Sequence, residues 1–401
     1  MKVVQINCVY AHGSTGRIVN ALHDYIRRQG DCSFVIFGMG GKEQDENVYR
    51  AVPTIVRKTQ SFASRFTGFP YGGCLLGTAS VLHKLNEIKP DIVHIHCPNA
   101  YFVNIYKLLN YLKKQKITTV ITNHAEFLYT GGCIYSIDCD KWLYGCGSCS
   151  KIGYEHPKSY LFDRTKQEWQ LLKRSFSGFE ALTVCCVSDW VRDRARRSPI
   201  LRDYPIVTVL NGLDTTQFKR VDSSELKEQL DLHGRKVILH VTPDFNKPVK
   251  GGKHVIEMAR RFPNVVFLIV GCEAPNDNYP DNCMFMGRTD DQKILASYYS
   301  LADLCLLPSV RETFSMVCAE SLCCGTPIVG FKAGGPETIS INKYSSFVEQ
   351  GNDDKLADAI EEMLLRQFDN ASISKEARDI YDQSIMCKKY YELYQSIVNH
   401  S

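Results

Sequence analysis

Two glutamates, Glu312 and Glu320, stand with seven residues between them in the run Arg311-Glu312-Thr313-Phe314-Ser315-Met316-Val317-Cys318-Ala319-Glu320. A carboxylate accepts hydrogen bonds from paired hydroxyls, so two of them suit a polyol such as a ribose or a hexose. The run follows a short apolar stretch, 303–309, that reads as a buried parallel strand. It enters 316–324, apolar on most faces and ended by Gly325 and Pro327 in the manner of a helix C-terminus. Glu312 therefore belongs to the loop at the strand's carboxyl end and Glu320 to the helix beyond it. Open α/β sheets bind ligands at that edge. The backbone N–H groups at the helix start, around Phe314, Ser315, Met316 and Val317, suit an anion such as a diphosphate. The plain alternative is a pair of solvated charges.

Other residues with chemical capacity fall at similar positions. Lys250-Gly251 closes a loop after the strand-like stretch 236–241, where a cation supplies countercharge to a diphosphate. Lys247 is either a second such cation or a surface lysine. Gly13 and Gly16 lie in a turn-rich loop, 11–17, between a strand at 2–8 and an amphipathic segment at 18–29. Strand, glycine loop and helix form the phosphate-cradling pattern of a mononucleotide fold, although G-x-G-x-x-G is absent. That loop admits a diphosphate or an acceptor, or it is only a tight turn. His94, His96 and His124 end two strands; His94 reads as a satisfied core residue, and His124 sits where the chain leaves the sheet. Cys133, Cys139, Cys146 and Cys149 follow in a glycine-rich run. Cys146 and Cys149 have zinc-knuckle spacing, and four thiolates complete a tetrahedral structural zinc site. Four reduced thiols or a redox pair are the alternatives. A catalytic zinc is not expected, because four sulfurs leave no open position.

The elements that must position these groups alternate as strand and helix. Strands are expected at 33–38, 91–96, 118–123 and 181–187, and helices at 79–88, 104–114 and 163–174. Ser188 is a candidate N-cap for a basic helix. Between Gly38-Met39-Gly40-Gly41 and about Thr78 no periodicity is evident, and mobile loops are expected. A second α/β half begins near 205–218, where Asn211-Gly212 marks a turn, and continues through helices at 253–262, 292–300 and 355–366. Apolar residues through 381–398 mark the last helices.

The chain has 401 residues, enough for two domains, with 44% hydrophobic and 23% charged residues as in a soluble globular protein. A net charge of +4 is too slight to imply nucleic acid as a partner. The basic cluster at 192–197 suits either an anionic membrane surface, at the inner face, or a solvated helix face. Seventeen scattered cysteines and no N-terminal signal sequence suit a cytoplasmic location. No apolar run reaches the length of a spanning helix.

The Glu312/Glu320 spacing, followed by Gly325-Thr326-Pro327-Ile328-Val329-Gly330 and Gly334-Gly335-Pro336-Glu337-Thr338, resembles the signature of the retaining, GT-B-fold glycosyltransferases of family four. The resemblance implies two Rossmann-like domains facing an interdomain cleft. They divide as an acceptor-side domain, 1–205, with a Cys-rich insertion at 130–150, and a nucleotide-sugar domain, 206–385. A final helix, 386–401, crosses back to the first domain. It implies that Glu320 holds the donor's ribose, Glu312 its sugar and Lys250 its diphosphate, with backbone near Gly287, Arg288 and Thr289 meeting the nucleobase. Thr122-Asn123-His124, followed by Thr130-Gly131-Gly132-Cys133, is similar to a subgroup pattern in which the histidine contacts the donor sugar near its anomeric centre. Three departures stand out: Ala125 replaces an aspartate after that histidine, Lys247 stands near a missing arginine, and Ser315 occupies a frequent glycine position.

The implied reaction moves a hexosyl unit from a nucleoside diphosphate sugar, such as a UDP-sugar, to an acceptor hydroxyl with retention. The implied acceptor is a glycan or lipid-linked precursor of a surface polysaccharide, lipopolysaccharide, capsule or glycolipid. No cofactor is expected for catalysis, as no Asp-x-Asp triplet occurs in a suitable loop. A nucleotide-sugar epimerase or glycan phosphorylase on the same scaffold is the rival reading, and a non-catalytic nucleotide-binding protein the second.

Overall fold

Strands buried on both faces and joined by helices make two parallel sheets. The computed structural model describes residues 1–40, 46–152, 159–275 and 279–399. Gly41 of the expected loop and residues 400–401 of the expected final helix lie outside the described residues. Contacts divide the chain into two units, Met1–Leu210 with Met386–Ser401, and Asn211–Ile385.

The first unit has the strands β1 (Lys2–Val9), β2 (Cys32–Met39), β3 (Val48–Arg50), β4 (Ile92–Ile95), β5 (Thr118–Asn123), β6 (Leu182–Cys186) and β7 (Ile206–Thr208). They pair in parallel in the order β3-β2-β1-β4-β5-β6-β7. The second unit has β8 (Val237–Val241), β9 (Val266–Val270), β10 (Cys283–Phe285), β11 (Leu304–Leu307), β12 (Ile328–Phe331) and β13 (Ser345–Val348), ordered β10-β9-β8-β11-β12-β13. Strand order reverses beside β1 in one sheet and beside β8 in the other. Helices leave to opposite sides at such a point and open a crevice at the strands' carboxyl ends. The loops after β1, β4, β8 and β11 are therefore the ones each fold presents to a ligand.

Packing explains why these segments are strands. Every residue of β4, β6, β9, β11 and β12 is buried, as parallel strands covered by helices require. The first unit's core gathers Val3, Ile18, Leu22, Ile92 and Val120 with Met386, Cys387, Tyr390 and Tyr394 of the last helix, Gln383–Asn399. In the second unit Ile238, Phe267, Leu306 and Val329 meet Met258, Leu356 and Ile360 from the flanking helices.

Two expectations need correction. The helix after β1 spans Gly13–Arg28, so Gly13 and Gly16 form its first turn rather than a preceding loop. The stretch expected as mobile loops contains β3, the helix Thr54–Thr67 and the start of the helix Leu75–Ile88. The helix Thr54–Thr67 carries only a sparse apolar stripe, Ile55, Phe62 and Phe66, which faces outward, and only Ser64 is buried. The structure adds two helices that no sequence pattern marks, Ser224–Gln229 and Asn370–Tyr381; the second buries Ile373, Ala377 and Tyr381.

Candidate functional site

In the second unit the loops after β8 and β11 are locked together. Lys250 ends a short 3-10 turn, Pro248–Lys250, and Gly251 follows with φ +74°. A Cβ on Gly251 would stand 2.1 Å from the Pro308 carbonyl oxygen, so glycine is required by both backbone sign and space. The Val310 N–H donates to Val249 O at 2.8 Å, clamping one loop to the other. Across this clamp Lys250 Nζ meets Glu312 Oε1 at 2.7 Å, both side chains half-buried.

Glu312 is fixed through its backbone as well. Its N–H donates to Ala333 O at 3.0 Å, and its carbonyl accepts from Gly335 N–H at 2.8 Å. A Cβ on Gly335 would meet the Thr313 carbonyl at 2.4 Å. Glu337 accepts from the N–H groups of Ala333 and Gly334, fixing from within the loop after β12 whose backbone grips Glu312. The helix Met316–Cys323 starts beside Glu312, capped by Ser315 Oγ, which accepts from Cys318 N–H at 3.4 Å. Ser315 has φ +75°, the left-handed region that favours glycine. That backbone sign is the physical content of the glycine the resemblance leads one to expect there.

Glu320 is buried in this helix, and its Oε2 accepts from the Tyr299 hydroxyl at 2.9 Å. Burial and the adjacent carboxylate push the Tyr299 phenol well above its usual range, so it stays a donor. Phe314 is buried against Tyr381. Met316 and Val317 are half-buried at the helix start. Gly287 has φ +66° and its carbonyl accepts from Gly271 N–H, so it closes the loops after β9 and β10. Arg288 is exposed with Asp290 at 3.4 Å, and Lys247 is exposed. The structure thus brings Lys250, Glu312 and the helix start together and leaves Lys247 and Arg288 at the surface.

In the first unit the strand ends carry neutral rings. His124 Nε2 lies 3.2 Å from His96 Nδ1, and the His96 ring stacks on His124 and packs at a tilt against His94. His94 bonds the Tyr394 hydroxyl at 2.5 Å and Thr122 Oγ1 at 2.7 Å, as a satisfied core histidine should. Burial holds His124 down to about 3, and His94 and His96 well below the usual imidazole range. Glu126, the carboxylate nearest in sequence, serves elsewhere. It pairs with Arg194 at 2.8 Å and accepts from Ser136 N–H and Oγ–H. Gly13 takes φ +61°, and Gly16 lies close to Val9 and the Ala11 backbone. Sequence reasoning missed Tyr299, for which no local signal exists, and His96 as the partner of His124. The pairing of β4 with β5, which sets their carboxyl ends side by side, was the available clue.

Cys133, Cys139, Cys146 and Cys149 line one small cavity, and Gly131 N–H donates to Cys146 Sγ at 3.2 Å. Among the described residues, however, no three His, Cys, Asp or Glu side chains converge enough to hold a metal ion. Burial and mutual repulsion push the Cys133 thiol up, and burial foremost lifts Cys146 to about 12. The basic cluster at 192–197 is largely engaged: Arg192 pairs with Asp189 and Asp193, and Arg194 pairs with Glu126 and lies over Trp142.

Comparison with known proteins fits this architecture. The chain is 26% identical over 210 residues to N-acetyl-alpha-D-glucosaminyl L-malate synthase of Bacillus anthracis, a match covering 48% of this chain and 53% of that protein. The chain spans about half the length of the curated relatives it matches. Sucrose-phosphate synthase from Thermosynechococcus elongatus superposes with a TM-score of 0.69 at 16% identity, over 100% of both chains. Anabaena Alr3699/HepE, solved with UDP and glucose, gives 0.66 at 17% identity over 99% of this chain and 100% of that one. The family "Glycosyl transferases group 1" matches residues 222–380. "Glycosyltransferase Family 4" matches residues 15–217, half of the chain, and the protein therefore belongs to the group 1, family 4 glycosyltransferases of GT-B fold.

Proposed function

We propose that this chain transfers a hexosyl unit from a nucleoside diphosphate sugar to an acceptor hydroxyl with retention of anomeric configuration. The observation that carries the reading is the Lys250–Glu312 pair, 2.7 Å apart, beside the start of the helix Met316–Cys323. Without ligand, the carboxylate of Glu312 is an anionic partner for Lys250. A donor diphosphate at the helix start competes for that cation, as an anion at a helix N-terminus does. Glu312 then accepts from the sugar hydroxyls, and Glu320, steadied by Tyr299, accepts from the ribose. The bond from the anomeric carbon to the phosphate oxygen breaks, and one to the acceptor oxygen forms on the same face. The acceptor's proton passes to the leaving phosphate. Lys250 and the helix-start N–H groups stabilise the charge that develops there. On the first unit, His124 contacts the donor sugar as a neutral imidazole, consistent with its depressed pKa.

The UDP and glucose in the Anabaena structure support uridine as the base to try first. The malate in the name of the Bacillus anthracis relative widens the acceptor class to small hydroxy acids. A glycan or lipid-linked precursor of a surface polysaccharide remains the acceptor class proposed from the resemblance. Seventeen free cysteines support a reducing compartment such as the cytoplasm.

The test is mass spectrometry of UDP-, GDP- and ADP-hexoses incubated with the protein and candidate acceptors, with the product anomer read by NMR. Transfer with retention supports the proposal. Inversion, epimerised donor or phosphate-dependent cleavage overturns it. A structural zinc on Cys133, Cys139, Cys146 and Cys149 is a separate proposal, supported by their shared cavity. It requires the thiols to deprotonate and converge, and a folded protein that is free of zinc by elemental analysis overturns it.

A further inference from the structure

The helix Thr54–Thr67 is turned inside out. Its fully buried side chain is Ser64, whereas Ile55, Phe62 and Phe66 are 70%, 62% and 40% exposed. At helical pitch these three fall within about 40° of one another, a narrow apolar stripe. A surface helix of a water-soluble domain points such a stripe at the core. The stripe continues into a neighbouring segment. Phe66 meets the Tyr160 ring at 5.8 Å, and Tyr160 N–H donates to Arg65 O at 2.7 Å. Tyr160, Leu161 and Phe162 are themselves at least half exposed. An apolar patch of this kind marks an interaction surface.

Charge decides what covers it. Lys58 and Arg65 lie about 40–100° from the stripe's residues on one flank of the helix. Arg65 also reaches the Tyr160 hydroxyl at 3.2 Å, and the Arg164 guanidinium lies over Phe162 at 5.1 Å. Residues 47–86 contain no aspartate or glutamate. A second copy of this face would set Lys58 and Arg65 against their own equivalents, since a two-fold interface pairs a patch with itself. Like charges there are repulsive. Among the described residues no helix is long and apolar enough to cross a membrane. An aromatic stripe edged by cations is instead the composition of a helix that lies in the headgroup layer of an anionic bilayer.

We propose that the face formed by the helix Thr54–Thr67 and residues 160–162 docks on an anionic lipid surface, with Phe62 and Phe66 inserted and Lys58 and Arg65 on the headgroups. This places any membrane contact on a different element from the basic helix Asp189–Arg197, whose Arg192 and Arg194 are engaged in ion pairs. The proposal is independent of the transfer chemistry, so its failure leaves the donor site untouched.

The test is flotation with vesicles of phosphatidylglycerol and phosphatidylcholine, set against vesicles of phosphatidylcholine alone. The full chain is expected to partition at least about tenfold more strongly onto the anionic vesicles, since each cation near the surface adds to binding, and to detach as salt rises. Phe62→Ser with Phe66→Ser should lower partitioning about tenfold, and Lys58→Glu with Arg65→Glu should erase the preference between the lipids. Circular dichroism melts confirm that each variant is folded; an unfolded pair is replaced by Phe62→Ser or Lys58→Glu alone, with the same criterion. The proposal is overturned by equal partitioning onto both vesicles, by no binding, or by variants that bind as the wild type does. A dimer in size exclusion that Phe62→Ser with Phe66→Ser dissolves also overturns it.

Discussion

The two sheets reach the same kind of crevice by the same topology and furnish it with opposite chemistry. Beside β8 the strand ends hold a cation and an anion in contact, Lys250 and Glu312, on loops fastened by glycines that tolerate no Cβ. Beside β1 the strand ends hold His94, His96 and His124, packed ring against ring and kept neutral by burial. In the proposed reading the first arrangement binds charge: a diphosphate at the helix start takes over the Lys250 that Glu312 now holds. The second is built to present a polar edge without charge. Fold alone does not distinguish these roles, and the side chains at the strand ends do.

Removing charge should hurt the second unit most. Lys250→Ala is expected to slow transfer about a hundredfold, the scale of losing one charge-stabilising donor. Initial rates at saturating donor measure it, and a change under twofold would break the contrast. Glu320→Ala is expected next, weakening donor binding about tenfold with a smaller effect on kcat, because a charged hydrogen-bond partner of the ribose is lost. Titration calorimetry with the donor measures that.

Acid should test the first unit. His124 has a folded pKa of about 3 against an unfolded value near 6.5. The unfolded chain therefore binds more protons between those values. Stability is full above about pH 6.5 and falls as pH drops through this window, by about 2 kcal/mol at pH 5 for His124. His240, held to about 4 chiefly by burial, contributes in the same direction. Urea melts at pH 7 and pH 5 should show the loss, and His124→Gln should reduce it by about the His124 share, leaving what His94, His96 and His240 contribute. The smallest effect sharpens the account of the helix start. Ser315→Gly relieves a positive φ and should stabilise the protein by about 1 kcal/mol, less a few tenths for the lost cap. Lower stability in a urea melt would show that the cap outweighs the strain.

Much of this was legible in the sequence wherever local chemistry and burial agree. Leu304–Leu307 is apolar because it is buried on both faces, and Glu312 follows it because the loop emerges there. Lys250 could be placed because Gly251 marks the turn behind it. The helix Thr54–Thr67 is illegible for a different reason: Ile55, Phe62 and Phe66 are too widely spaced along the chain to mark the face of a core-packed helix, and they pack on no core. Gly13 and Gly16 signal a turn by residue type alone, and here they open a helix. Tyr299 could not be tied to Glu320, as the pair forms only when two helices pack. The tyrosines of Gln383–Asn399 are visible as apolar positions, but their partners His94 and Thr122 lie 300 and 268 residues away along the chain.

The central claim is that the donor's diphosphate sits on the second unit, between Lys250 and the start of the helix Met316–Cys323. A crystal structure with UDP bound tests it most directly. The account predicts phosphate oxygens within hydrogen-bond reach of Lys250 Nζ and the N–H groups at that helix start, with the ribose on Glu320. A nucleotide bound away from Lys250 and Glu320 would contradict it.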